Sequence, residues 1–499
     1  MAYDEQPTTS NSQLNSSHML IRLLPPRALA AAFLGALLLA LPACNEKTLL
    51  NPVPRTSLQG SLLFNTPDRV LGQVNGLYAG LKNGSYYGGR YLMLSDIRGE
   101  EFINRLQNVF TGYDAWNHTI NSGSNDALTT WSTAYAAINS ANLVVDGLAA
   151  NPTVVPAATA AQYTGEAKLV RALSYFALVT FYGQPYVKDG GASLAVPLRL
   201  SGEISTANND LARSTVAAVY VQILKDLNEA EAALPLTYAT ALLNTTRAHR
   251  NTAIALKTRV YLSMGRYADV VTEARKIVSA AAPFRAPTGV AHQLQANINT
   301  IFSTDYTTTE SILSMPMTTL DNVSGQNSLG YEYTFNQEYN LNPTGILGNA
   351  TWRPADLRRT MLRTAGTTVY LTKYRTANPY LDYVPVVRYA EVLLNYAEAL
   401  ARQSSPDMAT ATALLTAVRQ RSDATYAFPA AAVGTAGALT STIWVERRIE
   451  LLGEGFRSND LLRNLLPIPA KGTAPAISPS QPEYIFPIPN AEISSNKLL

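Results

Sequence analysis

The residues that could carry chemistry are few and spread out. Four histidines, His18, His118, His249 and His292, are the chain's imidazoles, and no two lie within helical reach of each other in sequence. Zinc sites bring their ligands together at characteristic spacings, so histidine-based metal chemistry has no support here. No G-x-S-x-G, no Walker stretch and no complete G-x-G-x-x-G occurs; "GEGFRS" stops at two glycines. The usual signals of α/β-hydrolase and nucleotide chemistry are therefore missing. Among carboxylates, Glu100 and Glu101 are neighbours and point apart. In "ERRIELLGEGFRSND", Glu446, Glu450 and Glu454 recur every fourth residue and stack like charges along one helical face. Glycoside hydrolysis needs two carboxylates facing each other across a cleft, which one stripe does not supply. The stripe reads as a structural network neutralised by arginines of adjacent helices, with Arg388, Arg419 and Arg421 as candidates. Arg171, alone in an apolar helical run, is expected to pair with a buried carboxylate or to snorkel.

Aromatic residues form a more suggestive set. Tyr86 and Tyr87 lie in the Gly-rich "LKNGSYYGGRYL", Tyr113 and Trp116 in "FTGYDAWNHT", Tyr331 and Tyr333 in "GYEYTFNQEYN", and Trp352 in "NATWRPADLRR". Sugar rings present C–H faces that stack on aromatic planes while Asn, Asp and Arg read the hydroxyls, so aromatics among polar loop residues suit a carbohydrate platform. The competing reading is that each covers a helix end or touches a partner protein. Sequence does not establish that these seven converge in space.

The single cysteine, Cys44 in "LALPACNEK", has a different reading. Upstream, Arg22 and Arg27 precede an apolar run from Ala28 to Leu41, the build of a secretory leader and shorter than the ~20 residues of a spanning helix. Leu41-Pro42-Ala43-Cys44 resembles a bacterial lipobox, which makes Cys44 a lipidation site and residues 1–43 a leader. The polar residues before Met19 lack leader character, so Met19 is the expected start. A secreted chain with no second cysteine cannot close an internal disulfide, and packing alone must hold it. With 39 basic and 36 acidic residues and no basic run, nothing points to nucleic acid.

These groups must be positioned by helices. "GEAKLVRALSYFALVTFYG" is apolar nearly all round and should be buried on most sides. "AAVYVQILKDLNEAEAALP" is amphipathic and stops at proline. "RNTAIALKTRVYLSMGRYADVVTEARKIVSAA" reads as two helices meeting at Met264-Gly265-Arg266, with small and aromatic residues where a tetratricopeptide pair places them. A looser version recurs at "RYAEVLLNYAEALARQ" and "DMATATALLTAVRQRS". Between them, residues 283–383 are rich in Thr, Asn, Tyr and Gly, with "SILSMPM" and "TVYLTKY" as strand candidates. Binding residues often sit on such material.

In combination, "FNTPDRVLGQVNGLYAGL", "WSTAYAAINSANLVVDGL", "RALSYFALVTFYGQPYV", "RYAEVLLNYAEAL" with "LLTAVRQRS", "ERRIELLGEGFRSNDLLR" and "YIFPIPNAEISSNKLL" resemble, in order, the conserved segments of the SusD/RagB family of outer-membrane lipoproteins. One departure is Ser458-Asn459, where the family more often has an aromatic residue before the aspartate. The resemblance implies an all-α, mainly helical SusD-like fold with tetratricopeptide-like pairs, long loop-rich insertions and a few short strands. It implies one domain over 44–499: scaffold 60–282 and 384–465, insertion about 283–383, tail 466–499. It also implies a lipid-anchored protein on the outer membrane, facing the exterior, that captures a nutrient, most often an oligosaccharide, for a SusC-like TonB-dependent transporter. Catalytic residues, cofactor and metal are not expected. Peptide capture, a surface glycoside hydrolase and a protein-binding assembly scaffold are the alternatives.

Overall fold

The computed structural model describes residues 62–303 and 306–499, so the leader and the lipidation site Cys44 lie outside the described residues. Helices dominate. The principal ones are α1 (Pro67–Leu81), α2 (Arg90–Ile97), α3 (Asn125–Ala150), α4 (Ala157–Tyr182), α5 (Val216–Ala233), α6 (Arg250–Ser263), α7 (Tyr267–Ile277), α8 (Tyr389–Arg402), α9 (Met408–Ser422), α10 (Ala436–Glu450), α11 (Arg457–Leu462) and α12 (Asn490–Ser495). Their starts follow local chemistry. Thr66 caps α1 ahead of Pro67, Thr215 accepts from the Ala218 amide at the head of α5, and Asp407 accepts from the Thr410 amide at the head of α9. Helix α5 gives way to an extended Leu234 before Pro235.

Successive helices pack on one another: α3 on α4, α4 on α5, α5 on α6, α6 on α7, α7 on α8, and α8 on both α9 and α10. Helix α4 is buried almost continuously from Gly165 to Val179. Each of its Leu, Val and Phe side chains contributes about 1.5–3 kcal/mol of burial. Arg171 on this helix does pair: its guanidinium donates to both oxygens of Asp226 at 2.7 and 2.8 Å and to Asn142 at 2.8 Å. No helix among the described residues is long and apolar enough to cross a membrane.

Among the described residues, six short strands form three antiparallel pairs. β1 (Phe102–Asn104) meets β3 (Tyr339–Leu341), β2 (Ser311–Met315) meets β6 (Val384–Arg388), and β4 (Leu362–Ala365) meets β5 (Thr368–Leu371). "SILSMPM" and "TVYLTKY" supply β2 and β5. The chain leaves the helical scaffold at β2 and returns at β6, both wholly buried.

A closed ion network fastens this excursion down. Glu310, Asp356, Glu446, Glu450 and Glu454 face Arg358, Lys373, Arg388, Arg419 and Arg421, and none of these ten side chains is more than 4% exposed. Arg388 binds Glu310 at 2.7 Å, Glu450 at 3.0 Å and Glu454 at 2.6 Å; Arg419 binds Glu446 at 2.6 Å; Arg421 binds Glu310 and Glu450. The three arginines anticipated as neutralisers are all present, joined by Arg358 and Lys373 from the insertion. One expectation needs correction. Helix α10 ends at Glu450, and Glu454 sits on the following turn, where Gly453 and Gly455 adopt φ of 79° and 84°. The turn nevertheless returns Glu454 to the same arginines. At Ser458, where the sequence departs from the family pattern, the buried hydroxyl accepts from Arg98 at 3.2 Å.

Candidate functional site

Five of the seven aromatic residues expected to stack on a ligand are inside the protein: Tyr86, Tyr87, Trp116, Tyr333 and Trp352 are at most 3% exposed. A buried ring cannot offer a face to a sugar arriving from solvent, so the expectation is corrected for these five in this conformation. Tyr86 and Tyr87 sit 4.7 Å apart in a cluster continued by Tyr91 and Phe181. The flanking glycines serve close packing here. A Cβ on Gly88 would lie 2.1 Å from the Lys82 carbonyl oxygen, and one on Gly89 would lie 2.0 Å from that of Asn327. Trp116 donates to the Phe102 carbonyl at 2.8 Å, Tyr333 stacks on Phe102 at 4.8 Å, and Trp352 lies under the Arg359 guanidinium at 4.6 Å. Tyr113 and Tyr331 remain partly exposed, but no ring contact links them.

Tyr331 belongs to a face built by loops. Residues Gly330–Phe335 form one π-helical turn, a geometry common at functional sites. It aims Tyr331 and Phe335 outward and Glu332 and Tyr333 inward. Tyr380 meets both outward rings, at 6.3 Å from Tyr331 and 6.0 Å from Phe335. Alongside runs the loop after β1, with Leu106, Val109 and Phe110 exposed, Phe110 by 64%. Its attachment is specific: the Arg105 amide donates to the Glu338 carbonyl at 2.9 Å, and the Tyr339 hydroxyl donates to the Thr111 carbonyl at 2.7 Å. Phe110 and Phe335 lie within two of the aromatic stretches singled out by sequence, which drew attention only through their Tyr and Trp residues.

Charge on this face is uneven. Arg105 donates to the Tyr370 hydroxyl at 2.6 Å and leans over that ring, as does Arg363; their guanidinium carbons lie 5.7 and 5.0 Å from its centroid. Arg363 is the direct cross-strand neighbour of Tyr370. Further bonds run from Arg105 to the Gln337 carbonyl and from Arg363 to the Thr334 carbonyl, on either side of Phe335 in the chain. The nearby acids Glu332 and Glu338 lie buried under the face, and burial pushes both carboxyls up, Glu332 furthest. Neither oxygen of Glu332 has a partner among the described residues.

A concavity of about 390 Å³ lies elsewhere, between α3, the 197–211 loop and α12. Its polar groups hold these three parts together. The Asn139 amide bonds both the N–H and the carbonyl of Glu203, Tyr135 donates to the Pro197 carbonyl, and the Trp131 indole donates to Glu492. Arg199 stands between Glu203 at 3.0 Å and Glu492 at 3.8 Å, where a hydrolase would need the scissile bond. Glu100 and Glu101 are likewise held by Arg448.

Comparison with known proteins matches this architecture. A family model described as SusD-like, starch-binding associating with outer membrane, covers residues 72–262, and the SusD family model covers 258–477. SusD-like protein P2 of Formosa agariphila is 26% identical over 93% of this chain and 97% of its own length. A SusD superfamily crystal structure from Bacteroides fragilis superposes with a TM-score of 0.80 at 31% identity, covering 88% of this chain and 99% of that one. Another, from Bacteroides thetaiotaomicron, shares the fold with a TM-score of 0.77 at 24% identity, covering 87% of this chain and 98% of that one. Family-model matches across both halves and a 31% identical structure aligned over 88% of the chain lead to one conclusion: this chain belongs to the SusD superfamily.

Proposed function

We propose that this protein captures an oligosaccharide at the outer surface of the outer membrane, tethered by a lipid on Cys44, and passes it to a SusC-like TonB-dependent transporter without transforming it. The observation that carries the reading is the loop-built face, where Phe335 is exposed and Tyr331 and Tyr380 are partly exposed while most other aromatics are packed away. Exposed rings among Asn, Gln and Arg side chains suit saccharide stacking with hydroxyl readout. The family description, starch-binding associating with outer membrane, supports both ligand class and location. The carboxylates with the most striking spacing are spent on arginines, which favours binding over hydrolysis.

The test is co-purification. Membranes of the source organism are solubilised mildly, the protein is captured through a C-terminal tag, and accompanying proteins are identified by mass spectrometry. A stoichiometric TonB-dependent barrel is the expected result. Reproducible recovery of the protein alone, with turnover of a labelled oligosaccharide, would replace this reading with a surface hydrolase.

A further inference from the structure

The capture-face reading leaves the ligand's chemistry open, and Arg105 and Arg363 address it. Several arginines of the scaffold are matched with carboxylates, Arg171 with Asp226, Arg259 with Glu391 and Arg463 with Glu398, while others such as Arg98 and Arg213 use their donors on backbone carbonyls. Arg105 and Arg363 reach one tyrosine ring from different segments, yet no carboxylate lies within ion-pair distance of either among the described residues. Their bonds go to two carbonyls and a phenol, leaving most of the five N–H donors of each guanidinium unspent. Tyr370 keeps the planar groups in place by cation–π contact, and backbone carbonyls fix their direction. Glu332 and Glu338, the acids that flank the Thr334 and Gln337 carbonyls in the chain, are buried, so they offer no exposed carboxylate to close the pair.

Two preorganised guanidiniums without a carboxylate partner, anchored to the backbone on either side of Phe335, make a defined recognition element. The guanidinium fork matches two oxygens of a carboxylate or sulfate, whereas a neutral hydroxyl uses only part of it. Phe335 lies between the two arginines' carbonyl anchors, at Thr334 and Gln337, where an adjoining sugar ring can stack. We propose that the ligand is an acidic oligosaccharide whose uronate carboxylate or sulfate ester is gripped by Arg105 and Arg363. The proposal rests on the loop face being the capture surface.

Titration calorimetry of the full-length protein in detergent tests it with a galacturonate oligosaccharide, a κ-carrageenan oligosaccharide, and neutral maltotetraose and cellotetraose. One of the two acidic probes should bind, and which one distinguishes uronate from sulfate. Arg105→Gln and Arg363→Gln should each weaken binding about tenfold and flatten its salt dependence. Arg105→Lys should retain part of the affinity, separating charge from fork geometry, and thermal unfolding verifies that each variant is folded. Tyr380→Ala should weaken binding as well. Binding of a neutral probe that is lost in Tyr380→Ala but indifferent to both arginine variants would overturn the acidic proposal and leave the capture face standing. Acidic-probe binding that survives both arginine variants would overturn it too. If no probe binds up to millimolar concentration, or binding ignores Tyr380 and both arginines, the capture face falls with it.

Discussion

Glu450→Gln tests whether the ion network beneath the insertion is as tightly closed as its geometry indicates. Glu450 is fully buried and accepts from Arg358 and Arg388, each at 3.0 Å, and from Arg421. An amide of the same shape removes one negative charge and turns N–H donors toward guanidinium donors, leaving an uncompensated positive charge where water does not reach. Breaking one partner of a buried pair costs about 3–5 kcal/mol. An exposed pair such as Arg266–Asp269, at 45% and 39% exposure, contributes about 0–1 kcal/mol. With a urea m-value of about 3 kcal/mol/M, Glu450→Gln should lower the unfolding midpoint by about 1–1.7 M, and Asp269→Asn by about 0.3 M at most. Fluorescence of Trp352 and Trp444 follows both the insertion and α10. The gap should also depend on pH. Burial pushes the Glu450 carboxyl up, but Arg421, Arg388 and Arg358 overcome this and hold it well below the usual carboxylate range. A depressed folded pKa contributes stability that is complete above the ordinary glutamate value of about 4.3 and is lost as pH falls below it. The wild-type advantage should therefore be full at neutral pH and shrink in acid. A midpoint shift no larger than that of Asp269→Asn, or a gap unchanged into acid, would refute the reasoning.

Four further outcomes are expected. Tyr331→Ala or Tyr380→Ala should weaken ligand binding by about 1–2 kcal/mol with little change in melting temperature, whereas Trp116→Ala should cost about 3–5 kcal/mol of stability; calorimetric titration and urea unfolding separate the two. Gly89→Ala should destabilise by about 1–3 kcal/mol, because its Cβ meets a backbone oxygen that cannot swing aside, and a wild-type melting curve would contradict this. His249 and His292 stack at 5.1 Å in the core, and burial pulls them down to about 3 and about 4. Unfolding therefore takes up protons between about pH 6.5 and those values, and stability from these rings is lost as pH falls; His249→Leu should remove about 1.4 kcal/mol per pH unit of that acid sensitivity, measured by urea unfolding at pH 6 and pH 4.5. Cys44→Ala should release the protein from membranes without unfolding it, and retention after a carbonate wash would exclude the lipid tether.

Helices were legible because period, caps and breakers agree locally, as in the Thr215 cap and the Pro235 stop. The glutamate stripe revealed its arginine partners because stacked like charges require cations. What misled was glycine. Around Tyr86 and Tyr87 it signalled an exposed turn, yet Gly88 and Gly89 are small so that backbones can touch, and the tyrosines fill the space inside. Tyrosine adds to the ambiguity, since one ring serves a core or a wet surface equally well. The guanidinium pair on Tyr370 was out of reach for another reason. Arg105 is far from Arg363 in sequence, and the alignment of Arg363 with Tyr370 depends on a hairpin register that propensity alone does not set.

The ten-member ion network has a consequence for transplantation. The excursion contributes Glu310, Asp356, Arg358 and Lys373, while the scaffold and its closing turn contribute Arg388, Arg419, Arg421, Glu446, Glu450 and Glu454. Each share is neutral in sum, yet all four residues of the excursion bond across to the scaffold or its closing turn, Glu310 to Arg388, Asp356 to Arg419, Arg358 to Glu446 and Lys373 to Glu454, so the excursion behaves like a plug with charged pins. A loop cassette exchanged between relatives would seat only if it arrived with those four residues in register. Between the pins, the outward side chains of Tyr331, Phe335 and Tyr380 take no part in the network, so the surface of the excursion can change while its foundation is held.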